Sequence, residues 1–269
     1  EIACEDKDAE LADCRAKLAE AENKLFKPII GCEMYVARRT MDKKEGKPDQ
    51  SGWHLIVLAK NEKGYHNLIK LVSRAWTEGY YMRPRTDRSE LEKYHEGLIA
   101  LSACLAGEVQ RYLVRGLYDE AKKTAQRYEA CFGKGNYFLE LQDHGIPDQK
   151  TVNAGLMRLS QELGIELVAT NDVHYTYAED WEAHDILLCL QTGKKLSDEN
   201  RMRYEGGQYY VKSEEEMRAL FPYAAQAIEN TQKIADRCHV EIEFGVTKLP
   251  HFTVPDGYDS WTYLNKLCH

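Results

Sequence analysis

Apolar and polar positions alternate along this chain in two rhythms. Short, nearly continuous apolar runs at 28–36, 53–59, 97–104, 137–142 and 165–169 read as strands buried on both faces. Between them apolar residues return at helical spacing. Asn61 is placed to cap a helix carrying Leu68, Ile69, Val72, Ala75 and Trp76. Further helices are expected over 116–132, ending near Gly133, and over 148–163, stopped by Gly164. Strands alternating with amphipathic helices predict a parallel sheet covered by helices, either a barrel or a doubly wound sheet. After about 190 the pattern loosens. Ser213 with Glu216 forms a capping box, 223–238 reads as helix, and 245–259, with Pro250, Pro255 and Gly257, reads as an extended exit segment.

Residues 1–26 follow another pattern. Leu11, Leu18 and Leu25 recur every seven positions, Cys14 and Ala21 are offset by three, and charged residues fill the gaps. This predicts an amphipathic helix, which either packs on the domain or self-associates as a coiled coil; three heptads favour the first.

Composition narrows the class. The 269 residues are 43% hydrophobic and 30% charged, as in globular proteins. No uninterrupted apolar run reaches the roughly 18 residues of a membrane span, and the acidic N-terminus lacks a signal-peptide pattern. With 36 basic against 44 acidic residues, a net charge of −8 argues against a nonspecific nucleic-acid coat. Arg38-Arg39, Lys43-Lys44 and Arg83-Pro84-Arg85 offer local basic patches, more simply read as solvated loops. Eight cysteines without a C-x-x-C pair indicate reduced, cytoplasmic thiols rather than a disulfide framework.

The chemistry gathers at predicted strand ends. Thr170-Asn171-Asp172-Val173-His174-Tyr175 follows the last apolar run, and on an extended backbone Asp172 and His174 project to one side. Glu33 lies within the first strand, His54 opens the second and Cys104 closes the third. Each side chain is a divalent-metal ligand type, so the group suggests one metal site. A carboxylate in an apolar strand needs a partner, which favours a functional origin for Glu33. Cys104 alone reads more simply as a small buried hydrophobe, and His144, in an Asp-His-Gly turn, ranks second.

Residues 27–33, 54–64, 97–109 and 169–175 closely resemble the PHP (polymerase and histidinol phosphatase) domain at the front of bacterial replicative DNA polymerase III alpha subunits. Residues 201–210 and 244–257 resemble its run toward the palm, so 27–258 corresponds to the domain and its connector, and 259–269 to the start of the palm-directed segment. The resemblance implies a distorted (β/α)7 barrel with metals at the C-terminal ends of its strands. Glu33, His54, Cys104, Asp172 and His174 fall on the family's metal-ligand positions, with Zn, Mn or Mg as the ions implied. Active members are phosphoesterases, in some alpha subunits a 3′–5′ proofreading exonuclease; degenerate members stabilise the polymerase or dock a separate exonuclease.

The chain departs from the family in its first units. The family opens with a His-x-His strand and a Thr-Asp-His strand, whereas no histidine here precedes His54. The expectation is therefore an incomplete barrel with about five of seven strands, an N-terminal helix and an impaired metal site. No catalytic residue is assigned, and no palm carboxylates are expected. The implied partners are the remainder of the alpha subunit, an exonuclease subunit and DNA, with no membrane and self-association through 1–26. An active metal phosphoesterase and a purely interacting platform are the competing readings.

Overall fold

The computed structural model describes Arg15, Lys17, residues 26–249 and residues 252–269. The Leu11, Leu18 and Leu25 seam and Pro250 lie outside the described residues. The sheet has six strands: β1 Gly31–Val36, β2 Trp53–Ala59, β3 Arg85–Thr86, β4 Leu98–Leu101, β5 Tyr137–Leu141 and β6 Leu167–Ala169. Their order is β3-β1-β2-β4-β5-β6. Among the described residues the sheet does not close, and its edges are β3 and β6.

Two expectations need correction. A two-residue strand, β3, joins the five that were expected, pairing parallel to β1 through Tyr35↔Arg85 and Val36↔Thr86. The sheet is also mixed rather than parallel. β2 runs antiparallel to both β1 and β4, while β4, β5 and β6 are parallel. Apolar runs report burial on both faces; they carry no information about direction.

Strand alternation sorts side chains onto two faces. Met34, Val36, Leu55, Val57, Ala59, Leu98, Ala100, Leu139 and Leu141 join the larger core. Helices cover it with Leu68 and Leu71 from Glu62–Thr77, Ala121, Ala125 and Phe132 from Tyr118–Phe132, and Val152, Leu156 and Leu159 from Pro147–Leu163. Each large side chain buried there contributes about 1.5–3 kcal/mol. On the opposite face Ile99, Leu101, Phe138 and Val168, with Ile56 and Leu58, pack against Ile234 and Cys238 at the end of helix Ala225–Arg237. Glu33 and His54 share this second face through their register with Ile56 and Tyr35.

Local signals behave as their chemistry requires. Asn61 Oδ1 accepts from the Gly64 N–H at 3.0 Å and caps Glu62–Thr77. A Cβ on Gly64 would sit 1.8 Å from the Gly97 carbonyl oxygen, so only glycine permits this approach. Ser213 and Glu216 form the expected reciprocal cap of helix Glu214–Leu220. The six cysteines among the described residues are unpaired. Among these residues no helix is long and apolar enough to cross a membrane.

Arg85 is not part of a solvated basic loop. It is fully buried, and its guanidinium donates to the carbonyls of Gly79, Asp49, Met41 and Lys43 at 2.9–3.1 Å. Arg39 in turn pairs with the buried Asp49. These cations hold the 40–51 loop against β3. Helix Trp181–Thr192 was not evident from the sequence, since its apolar residues face several directions and Ile186, Leu187 and Leu190 are exposed.

Candidate metal centre

The reversed direction of β2 assembles the site. In a parallel sheet, a residue opening one strand and a residue following another would lie at opposite ends. Because β2 is antiparallel, His54 at its start pairs with Tyr35 near the end of β1 and lies beside the segment after β4. The His54 amide donates to the Ala106 carbonyl at 3.1 Å, which ties β2 to the turn carrying Cys104. Glu33, two residues before Tyr35, shares its face.

His54 Nδ1 lies 2.6 Å from Glu33 Oε1 and 3.5 Å from Cys104 Sγ. One ligand atom from each of the three residues falls within 4.8 Å of the others. Glu33 is not buried, as a carboxylate in an apolar strand suggested; its side chain is 42% exposed. The His54 hydrogen bond and the charges of His54 and His174 hold its carboxyl below the usual range, against a smaller opposing effect of burial. Burial pushes the Cys104 thiol up to about 12, so thiolate ligation requires a cation to displace its proton.

Asp172 and His174 arrive differently from the expectation. β6 ends at Ala169, and Asp172 occupies the left-handed region with φ of +44°. The same-side argument for an extended backbone does not apply there. Instead the His174 Nδ1–H donates to the Asp172 carbonyl at 2.6 Å, leaving Nε2 as the free ring nitrogen. The backbone of the loop is held by Asn171, whose amide donates to the carbonyls of Gln208 and Tyr210, and by the His174 N–H on Tyr209 O. Rings of Tyr204, His184 and Tyr209 surround His174, with centroids at 4.3, 5.6 and 5.7 Å. Burial raises the Asp172 carboxyl above its ordinary range; Glu33 adds to this, while His174, His144 and His54 oppose it. Asp172 and His174 thus sit within electrostatic reach of the cluster but outside its group of three.

His144 is a structural residue. Its Nε2–H donates to the Asn171 carbonyl at 2.9 Å, its Nδ1 accepts from Gln149 Nε2 at 2.8 Å, and its ring stacks on Tyr209 at 3.9 Å. Neither ring nitrogen is available to a metal.

Sequence reasoning missed Glu140. This carboxylate is buried inside a wholly buried strand, on the same face as Val168, and burial lifts it to about 7. The clue used for Glu33, a charge inside an apolar run, applied equally here.

Carboxylate, imidazole and thiol together suit zinc, which takes O, N and S donors in tetrahedral geometry; a thiol disfavours magnesium.

The PHP domain family model matches residues 7–144. The chain is 46% identical over 255 residues to the DNA polymerase III subunit alpha of Treponema pallidum (strain Nichols), covering 94% of this chain and 22% of that protein. It is 45% identical over 243 residues to the Borreliella burgdorferi protein of the same name (90% and 21%) and 41% identical over 249 residues to that of Thermus aquaticus (90% and 20%). The chain therefore spans about a fifth of the length of these curated relatives.

Proposed function

Since the chain belongs to the PHP domain family, we propose that it is the PHP portion of a bacterial replicative DNA polymerase III alpha subunit, acting in the cytoplasm as a structural or docking domain with an impaired metal site. The carrying observation is the division within the candidate ligands. Glu33, His54 and Cys104 converge, while Asp172 and His174, on irregular backbone, stand outside that group.

Glu33, His54 and Cys104 would hold one divalent cation, with zinc ahead of manganese and magnesium on donor type. A cation bound there would supply Lewis-acid polarisation of a phosphoryl oxygen. This chain's own contribution is to orient the ligands: His54 bridges Glu33 and Cys104, and the Tyr204–Tyr209 wall fixes the His174 ring. Exposed apolar residues support a docking role toward the rest of the alpha subunit or its exonuclease subunit. They include Ile186, Leu187 and Leu190 on one helix and Trp261, Leu264 and Leu267 on helix Ser260–Cys268.

The second reading is an active phosphoesterase working as a 3′–5′ exonuclease on DNA. It draws on the electrostatic influence that Glu33, His54 and His174 exert on Asp172.

Metal content by mass spectrometry, beside an Asp172→Asn/His174→Ala variant, and degradation of a 3′ primer end with zinc, manganese or magnesium test both. The first reading expects at most one metal per chain and little degradation. Robust metal-dependent degradation abolished by Asp172→Asn would overturn it in favour of the second.

A further inference from the structure

Glu140 joins the two segments that carry the candidate ligands. Its Oε2 accepts from the Ala103 N–H at 2.9 Å, one residue before Cys104. Its Oε1 accepts from the hydroxyl of Thr170, two residues before Asp172, and from Gln142 Nε2 at 3.0 Å. The Glu140 backbone N–H donates to Ser102 Oγ at 2.8 Å, and Gln110 Nε2 clasps the same hydroxyl and the Ala103 carbonyl at 2.7 and 2.8 Å. Ala103 sits at φ of +65°, a conformation that a side-chain-bearing residue keeps only when its surroundings hold it. Both carboxylate oxygens thus accept from donors, Oε2 from the Ala103 segment and Oε1 from the Thr170 segment.

We propose that Glu140 is a positioning residue that sets the Cys104 turn against the Asp172–His174 loop and so fixes the spacing of the metal centre. This rests on the reading of Glu33, His54 and Cys104 as the metal ligands, with the Asp172–His174 loop beside them. A buried carboxylate spanning two loops is more exacting than packing, because each oxygen demands its donor in place.

The test compares the full chain with its Glu140→Ala, Glu140→Gln and Leu156→Ala variants. Leu156 is buried in the larger core, on the side of the sheet opposite the Val168 face that Glu140 shares, so its truncation serves as a packing control. Two readouts are taken: affinity for zinc or cobalt, and the rate at which iodoacetamide alkylates Cys104 in metal-free protein, resolved by peptide mass mapping. Glu140→Ala should weaken metal binding by about 10–100-fold and accelerate Cys104 alkylation severalfold. Glu140→Gln, which keeps one acceptor oxygen, should fall between. Leu156→Ala should leave both near wild type. Unchanged alkylation in Glu140→Ala, or an equal change in Leu156→Ala, would overturn the proposal. If wild type binds neither metal, the metal-centre reading fails by itself, and the alkylation rates still decide whether Glu140 braces the two loops.

Discussion

His54 Nδ1 lies 2.6 Å from Glu33 Oε1, across the antiparallel β1–β2 pair and 21 residues away in sequence. Both side chains are partly exposed, so the contact adds little to stability. What it does is hold the imidazole between a carboxylate and a thiol.

Breaking that arrangement should separate metal binding from folding. His54→Ala and Cys104→Ser are each expected to lower zinc affinity at least tenfold. Glu33→Gln should shift unfolding free energy by less than about 1 kcal/mol. Zinc titration against a chromophoric competitor, paired with thermal melts, checks both.

Glu140 makes stability depend on pH with a defined sign. Burial raises its carboxyl from the ordinary 4.5 to about 7, so the folded chain keeps a proton that the unfolded chain releases. Its contribution is complete below about pH 4.5, declines as pH rises toward 7, and is constant above. The change amounts to about 3 kcal/mol. Glu140→Gln removes this titration. Urea unfolding between pH 4.5 and 8 should show the two proteins diverging within that window; parallel profiles would contradict the shift.

Arg85→Met should be strongly destabilising. It keeps the volume but leaves the carbonyls of Gly79, Asp49, Met41 and Lys43 without their donor. A loss of about 3 kcal/mol is expected, together with faster proteolysis inside 40–51, measured by denaturant titration and limited digestion.

His144→Ala should reduce stability by about 2 kcal/mol through two lost hydrogen bonds and a lost ring stack, with a smaller loss of metal affinity than the ligand variants show. Equal loss of metal in His144→Ala would return His144 to the ligand set.

Much of the architecture was legible because its signals are local. The Asn61 and Ser213 caps, the Gly164 stop and the apolar runs of β1, β2, β4 and β5 each depend on a few neighbouring residues. Helix Trp181–Thr192 was not, since its apolar residues Ile186, Leu187 and Leu190 face solvent and break the single-stripe pattern. Arg85 read as surface because composition cannot reveal four carbonyls converging from Met41, Lys43, Asp49 and Gly79.

By itself the sequence determined five of the six strands and the main helices between them, the resemblance to the PHP domain, and the identities of the candidate ligands, because periodicity, capping and motif are properties of short stretches. Only the tertiary structure decided the direction of β2, the convergence of Glu33, His54 and Cys104, the separate loop of Asp172 and His174, and the burial of Glu140 between two ligand-bearing segments. The period-2 alternation of a strand specifies which side chains share a face but is identical read in either direction. Whether a ligand at a strand's start meets one beyond another strand's end therefore depends on pairing across the sheet.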